Sequence, residues 1–124
     1  KLVYLFASLD ILSKNPPEKA VMDVTGYGYT IEHIAPQSGG GSVSEDRLHS
    51  IGNLCLLNKY ENPQFSNKSF SDKKALADNG VALSSRLSAK VFAENDKWTD
   101  EEVNARLDFL IQQAKKVFTP LLIL

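Results

Sequence analysis

The sequence predicts an α+β protein in which two short strands are enclosed by several helices. Apolar residues recur at helical spacing near both ends of the chain, whereas two central runs are short and rich in apolar, β-branched or aromatic residues. The chain has 124 residues, of which 43% are hydrophobic and 23% are charged. These fractions are ordinary for a folded protein, and a single core typically serves about 100–150 residues. We therefore expect one domain over residues 1–124.

The first helix is expected over residues 1–15. Its apolar side chains recur at the spacing of one helical face, and two consecutive prolines, Pro16 and Pro17, then stop the helix. The apolar positions are Leu2, Leu5, Phe6, Leu9 and Leu12.

Two strands are expected in the middle of the chain. The stretch VMDVTGYGYTIEHI (21–34) joins β-branched and aromatic residues to two glycines, which predicts a turn followed by a strand. The run IGNLCLL (51–57) is too short for an ordinary helix and predicts the second strand. Between them, QSGGGSVSEDR (37–47) predicts a flexible loop because glycine and serine build no core.

Helices are expected in the rest of the chain. Residues 58–78 pass from loop into helix, with Asn79-Gly80 as the stop, and residues 81–95 predict a short helix. Together, residues 81–118 are expected to wrap the central core.

The last helix begins with a capping box, because Thr99 is followed three residues later by Glu102. An apolar stripe follows and is expected to end before Pro120. The stripe consists of Val103, Leu107, Leu110, Ile111, Ala114 and Phe118.

Composition excludes several classes of protein. The single cysteine, Cys55, excludes an internal disulfide framework and a zinc site built from cysteine pairs, and we expect it to be a small buried apolar residue. The chain has no apolar run long enough to span a membrane and no signal-peptide pattern, so we expect a cytoplasmic location and no membrane partner. Because the chain opens on Lys1 without a methionine, we expect the C-terminal part of a larger protein.

Three short segments place polar side chains beside the predicted strands. Glu32-His33 lies in YTIEHIAPQ, Asn53 lies in IGNLCLL, and Asn62 lies in ENPQFSNKSF ahead of Asn67 and Lys68. Each has an ordinary structural explanation: a hydrogen-bonded histidine, a turn asparagine, and a helix N-cap followed by proline. Taken one at a time, these residues do not establish a function.

Taken in order, the three segments resemble the HNH, or ββα-metal, nuclease motif. His33 and Asn53 are 20 positions apart, and Asn53 and Asn62 are 9 apart. The strings EHIAPQ, IGNLCLL and NPQFSNKSF are similar to the HNH domain at the C-terminus of GmrSD-type modification-dependent restriction proteins. Trp98 and Arg106 match the tryptophan and the helical arginine near the end of that branch.

The resemblance extends from the leading helix to about residue 118 and implies a ββα-metal core over residues 29–78. It implies a metal-dependent endonuclease that nicks or cleaves DNA, as the effector domain of a bacterial restriction or anti-phage protein. The implied partners are DNA and an N-terminal nucleotide-binding sensor domain of the same protein. Two alternatives are an inactive HNH-fold module that binds DNA or a protein, and a helical module whose polar segments are caps and turns.

The resemblance also implies a role for each residue of the motif. His33 is the general base, since its ordinary pKa of about 6.5 lets it accept a proton near neutral pH. Glu32 and Asn62 are ligands of Mg²⁺ or Mn²⁺, which prefer oxygen donors, with Asn67 as the alternative to Asn62. Asn53 is expected to orient the loop that holds the base.

Two features of this sequence differ from the common HNH pattern. Glu32 stands where many members have aspartate, and Asn62 stands where many have histidine. In addition, neighbouring side chains of a strand alternate between its faces, so Glu32 and His33 diverge unless a turn redirects one of them. Pro36 is consistent with such a turn.

Basic side chains near the motif are the expected DNA contacts, because phosphates attract cations. The alternative for the lysines is a solvated helix face, and the alternative for Arg106 is an ion pair with Glu102. His49 is expected to contact a phosphate or lie on the surface, with a catalytic role as the alternative. The candidates are His49, Lys68, Lys73, Lys74 and Arg106.

Overall fold

The computed structural model describes residues 2–12, 28–37 and 41–123, with residues 11, 12 and 119–123 described by their backbone alone. Helices dominate, and two strands form a small antiparallel sheet, which confirms the α+β class. The elements are α1 (Leu2–Leu12), β1 (Thr30–His33), α2 (Glu45–Leu48), a 3-10 turn (Ile51–Asn53), β2 (Leu54–Leu57), α3 (Asn62–Phe65), α4 (Phe70–Asp78), α5 (Arg86–Glu94) and α6 (Asp100–Ile123).

The two strands differ in burial. They pair with Thr30 opposite Leu57 and His33 opposite Leu54. All four residues of β2 are buried, whereas β1 is half-buried with Thr30 exposed. The pairing extends past β1, because the Ile34 N–H donates to the carbonyl of Asn53 at 2.8 Å. The strand that carries Glu32 and His33 therefore pairs with a buried strand, while its own side chains stay partly exposed to solvent.

Alternate residues of β2 face two apolar clusters. Leu54 and Leu56 pack with residues of α1, α5 and α6: Phe6, Leu9, Leu87 and Leu110. Cys55 and Leu57 pack with the aromatic residues Phe65, Phe70, Phe92 and Trp98. Cys55 is thus buried as expected, and burial raises the pKa of its thiol to about 11.

The start of α6 packs against the 3-10 turn. A Cβ at Gly52 would lie 2.2 Å from the carbonyl oxygen of Val103, so only glycine allows this approach. Half of the predicted capping box is present: the Glu102 carboxylate accepts the Thr99 N–H at 2.8 Å, whereas the Thr99 hydroxyl donates to the same carboxylate. The close approach of Gly52 to Val103 fixes the position of the 3-10 turn, which lies immediately before β2.

Two elements and one side chain differ from the predictions. The expected loop contains the helical turn α2, whose preceding residue Ser44 donates its N–H to Asp100 at 2.8 Å. Helix α6 continues past Pro120 to Ile123, although a proline lacks the backbone N–H and usually kinks or ends a helix. Ile111, placed in the apolar stripe, is 42% exposed.

Two further predictions concern where helices end. Helix α4 ends at Asp78 and Gly80 has a φ of +101°, which confirms the predicted stop. The first helix was expected to reach residue 15, and its predicted end lies outside the described residues. None of the described helices is both long and apolar enough to cross a bilayer.

Candidate active site

Asn53 is a fully buried amide that holds the chain just beyond His33. Its Oδ1 accepts the Ala35 N–H at 2.9 Å and the Trp98 indole N–H at 2.9 Å. Its Nδ2 donates to the carbonyl oxygens of Ala35 at 3.2 Å and Leu48 at 2.8 Å. The amide thereby uses two donors and two acceptor positions, which is its full capacity. These contacts are the ones that a loop-orienting asparagine needs.

Lys73 is also buried and holds the same segment from α4. Only 2% of the residue is exposed, and its Nζ donates to the carbonyls of His33 at 2.7 Å and Ile34 at 2.9 Å. Burial lowers the pKa of this ammonium. We expected Lys73 to contact DNA, but its ammonium is directed into the protein. Its place is structural because it binds the backbone that carries His33.

Arg106 has a similar interior position. Its Nη1 donates to the carbonyls of Gly52 at 3.1 Å and Leu54, and its guanidinium lies 5.7 Å from the centre of the Phe6 ring. Burial lowers the pKa of Arg106 to about 10. We expected Arg106 to contact DNA, but its guanidinium, like the ammonium of Lys73, is buried and directed into the protein. This cation binds the 3-10 turn instead.

Glu32 and Asn62 meet on the open side of the sheet. The Asn62 amide donates to the Glu32 carboxylate at 2.8 Å. Thr30 donates its hydroxyl to the same carboxylate oxygen at 3.1 Å and accepts from Asn62 at 3.3 Å. All three side chains are at least partly exposed. The structure therefore brings together the two predicted metal ligands and adds a threonine that the sequence analysis missed.

The turn after β2 positions Asn62. The buried Glu61 carboxylate accepts the N–H groups of Asn58 at 2.9 Å and Ser84 at 2.7 Å. Glu61 is the N-cap residue of α3, so Asn62 is the first helical residue and not the cap. Asn67, the alternative ligand, lies exposed beyond the end of α3. The contact with Glu32 favours Asn62 over Asn67.

His33 lies at the end of β1 beside the second histidine. Its Nε2 is 3.1 Å from Nδ1 of His49, and the two rings are nearly perpendicular, at 80°. The Gln37 amide nitrogen is 3.4 Å from the same Nε2. Burial is the main cause that lowers the pKa of His33; His49 and Lys73 lower it further, and Glu32 opposes them. A lowered pKa keeps the imidazole neutral near neutral pH, the form that accepts a proton.

The strand separates these residues into two hydrogen-bonded groups. Glu32 pairs with Thr30 and Asn62, and His33 pairs with His49, as the alternation of a strand requires. The chain bends directly after His33. The Glu32 carboxylate is nevertheless close enough to raise the pKa of His33, so the two groups share one electrostatic environment.

The two remaining predicted lysines differ in exposure. Lys68 is exposed between α3 and α4. Lys74 is half-buried and donates to the Phe92 carbonyl at 2.7 Å, with Asp78 at 3.9 Å and Asp96 at 4.0 Å. Lys68 is thus the predicted lysine whose charge is most available to a phosphate.

The donor set at Glu32 suits one kind of metal. Within residues 2–12, 28–37 and 41–123, no three His, Cys, Asp or Glu side chains lie close enough together to hold an ion. An ion at Glu32 therefore depends on one carboxylate, the Asn62 amide oxygen and water. Such hard-oxygen sets, completed by water, are typical of Mg²⁺.

Sequence reasoning missed Thr30, Gln37 and the structural use of Lys73. The period of two along a strand was a usable signal for Thr30, which shares a face with Glu32. The contacts of Lys73 depend on how α4 packs against β1, and no local pattern encodes that.

The chain matches a known protein family. The family model described as GmrSD restriction endonucleases, C-terminal domain, matches residues 1–113. A search among curated proteins found no match. The family match confirms the resemblance seen in the three polar segments, and it implies a restriction-type nuclease with DNA as its substrate. Because the match covers most of the chain, the protein belongs to the family of C-terminal domains of GmrSD restriction endonucleases.

Proposed function

We propose that this protein is a metal-dependent HNH endonuclease that nicks or cleaves DNA, with a ββα-metal core over residues 29–78. The observation that carries the proposal is the contact between Glu32 and Asn62, one strand position from His33. A carboxylate and a neutral imidazole on β1, with an amide from α3 beside them, are the groups that phosphodiester hydrolysis needs.

Glu32 and Asn62 would hold the ion, and Thr30 supports the Glu32 carboxylate through its hydroxyl. When bound, Mg²⁺ or Mn²⁺ supplies charge neutralisation at the phosphoryl oxygens. The half-exposed Asn62 side chain carries an oxygen as well as the nitrogen that now donates to Glu32. An ion held here would take a carboxylate oxygen from Glu32 and the amide oxygen from Asn62 in place of their mutual hydrogen bond.

His33 is the proposed general base. It takes a proton from the attacking water while the water oxygen bonds to phosphorus and the bond to the leaving oxygen breaks. The backbone of His33 is fixed because its carbonyl accepts from Lys73 at 2.7 Å. A fixed base contributes more than a mobile one because less ordering is needed at the moment of reaction.

DNA binding by this domain is proposed to be local and weak. The chain carries 14 Lys and Arg against 15 Asp and Glu, so it has little net field to attract a polyanion. Within the part of the chain that the structure describes, Lys68 and His49 are the exposed candidates beside the site. Tight binding and target choice are then supplied by another part of the protein, for which we propose an N-terminal nucleotide-binding sensor domain.

The test is plasmid nicking by the purified domain. We expect cleavage with Mg²⁺ or Mn²⁺ that stops in EDTA, and His33→Ala should lower the rate by about 10²–10⁴-fold with an unchanged circular dichroism spectrum. Nicking by His33→Ala at the wild-type rate would exclude His33 as the base.

The ligand assignment has a matched pair of variants. Asn62→Ala should raise the metal concentration needed for half-maximal nicking, whereas Asn67→Ala should leave it unchanged. The reverse result would move the ligand to Asn67. DNA binding without cleavage at any Mg²⁺ or Mn²⁺ concentration would favour the inactive-module alternative.

A further inference from the structure

We propose that the cavity between α5 and α6 binds a small organic monocarboxylate, whose carboxylate accepts hydrogen bonds from the Nε–Nη2 edge of Arg106. The cavity has a volume of about 300 Å³, which is at the lower end of the range for small-ligand sites. Glu32, His33 and Asn62 do not line it. The inference therefore concerns a second site, and it does not depend on the proposed function.

Arg106 has an unpaired nitrogen in the protein interior. The residue is 9% exposed, and its Nη1 donates to the carbonyl oxygens of Gly52 and Leu54. Among the described side chains, Nη2 of Arg106 is the one buried nitrogen or oxygen atom without a hydrogen-bond partner. Native proteins leave few such groups unpaired, because each loses its hydration without compensation. Nη2 therefore needs an acceptor that the described residues do not provide.

The guanidinium of Arg106 also has no carboxylate partner within the described part of the chain. The buried Asp10 carboxylate accepts instead from the Ser85 hydroxyl and the Leu87 N–H. Each described hydrogen bond of Arg106 uses Nη1. The opposite edge, formed by Nε and Nη2, is left for a ligand, and a guanidinium edge binds a carboxylate through two parallel N–H groups.

The lining of the cavity favours an apolar ligand with one negative charge. Arg106 is itself part of the lining, so a ligand in the cavity is in contact with it. Lys90 and Glu94 also line the cavity and pair with each other at 2.5 Å, which cancels their charges. Glu102 adds another carboxylate, which disfavours a ligand with two negative charges. The apolar lining consists of Leu87, Val91, Ala105 and Phe109.

The first test is a titration of the chain with 3-phenylpropionate, followed through the arginine Nε–H signals in a ¹⁵N–¹H spectrum. The sequence contains three arginines. Arg47 and Arg86 are exposed, so Arg47→Lys and Arg86→Lys identify their signals and leave that of Arg106 by elimination. We expect the Arg106 signal to move with a Kd of about 1 mM, an ordinary affinity for a ligand of this size, while the other two stay in place. An Arg106 signal that stays in place at a tenfold excess over that concentration would overturn the inference and leave Nη2 to a water molecule.

The second test replaces the charged group of the ligand. The neutral 3-phenylpropanamide should bind at least about tenfold more weakly, because the charge-assisted pair with Arg106 is lost. The doubly charged 2-phenylethylphosphonate, in mildly alkaline buffer, should also bind more weakly than the carboxylate. Equal affinity for the amide would make the cavity an apolar site without a role for Arg106. Tighter binding of the phosphonate would make it a phosphate site. Either result overturns the inference.

The third test fills the cavity and leaves Arg106 unchanged. Ala105 is exposed on α6 and lines the cavity, whereas Gln112 is exposed on the same helix and does not line it. Leucine is a good helix former, so Ala105→Leu and Gln112→Leu should both keep the circular dichroism spectrum of the wild type. The Kd for 3-phenylpropionate should rise at least about tenfold in Ala105→Leu and stay unchanged in Gln112→Leu. An unchanged Kd in Ala105→Leu would place the ligand outside this cavity and refute the inference.

Discussion

Two asparagines of this domain have the same side chain and opposite environments. Asn53 is fully buried, and its amide binds backbone groups of Ala35 and Leu48 and the indole of Trp98. Asn62 is half-exposed, and its amide binds the side chains of Glu32 and Thr30. The first cannot change partners without leaving buried polar groups unpaired, whereas the second exchanges partners with solvent or a ligand at little cost.

The contrast extends to two sets of residues. We call Asn53, Lys73 and Arg106 the frame, because each is buried and binds backbone carbonyls around the end of β1 or the 3-10 turn. Thr30, Glu32 and Asn62 form the open face. Substitutions in the frame should change stability, and substitutions on the open face should change activity alone.

The largest effect is expected for Asn53→Ala. The substitution leaves the Trp98 indole N–H, the Ala35 N–H and two carbonyls without their partner. Since an unpaired buried group costs about 1–3 kcal/mol, we expect a loss of about 3 kcal/mol or more in the free energy of unfolding, measured by urea denaturation. Asn62→Ala is the matched control and should stay within about 0.5 kcal/mol. Equal losses for the two variants would erase the distinction between the sets.

Gly52→Ala tests the close contact between the 3-10 turn and α6. The new Cβ would lie 2.2 Å from the Val103 carbonyl oxygen, a backbone atom that cannot move aside alone. Overpacking of this kind costs typically 1–3 kcal/mol, and we expect about 2 kcal/mol in the same denaturation experiment. At Gly41 the nearest atom is the Ala35 Cβ at 3.2 Å, so Gly41→Ala should cost less. A larger loss at Gly41 would contradict the close approach of α6.

A pair of lysines compares a frame cation with an exposed one. Lys73→Met removes the donor to the carbonyls of His33 and Ile34, and we expect a loss of about 1–2 kcal/mol together with slower nicking. Lys68→Met should leave the unfolding midpoint unchanged and weaken DNA binding in a gel-shift titration. If Lys73→Met reduced DNA affinity at unchanged stability, Lys73 would belong to the DNA surface after all.

The smallest effect on stability is expected for Glu32→Gln. The variant keeps an oxygen for the Thr30 hydroxyl and the Asn62 amide, so the free energy of unfolding should change by about 0.5 kcal/mol or less. The stabilisation by Mn²⁺, measured as the shift in melting temperature, should be lost because the charge is gone. A melting temperature that still rises with Mn²⁺ would place the ion elsewhere.

Much of this arrangement was predictable from local signals. The two short strands, the stop at Gly80 and the Glu102 half of the capping box each depend on neighbouring residues, and each is present. The resemblance to the GmrSD C-terminal domain predicted Glu32 and Asn62 as ligands of one metal ion, and their side chains are in contact.

The frame cations were not predictable in the same way. Lys73 and Arg106 are charged residues in helices, for which solvent exposure is the reasonable expectation. Their burial depends on carbonyl groups that β1 and the 3-10 turn leave without a partner, and these become visible only when the elements are packed. Likewise, Glu45–Leu48 forms a helical turn in a serine-rich segment because Asp100 and Asn104 of α6 bind Ser44 and Arg47.

The position of Trp98 gives this domain an optical probe. It is the only tryptophan of the chain, it is 2% exposed, and it stacks on Phe70 with ring centres 5.5 Å apart. Its indole N–H donates to Asn53 at 2.9 Å. The tryptophan fluorescence of the protein therefore originates beside Asn53, the residue that holds the backbone just beyond His33. Its emission wavelength reports, without any label, whether that segment is held in place as metal, DNA or denaturant is added.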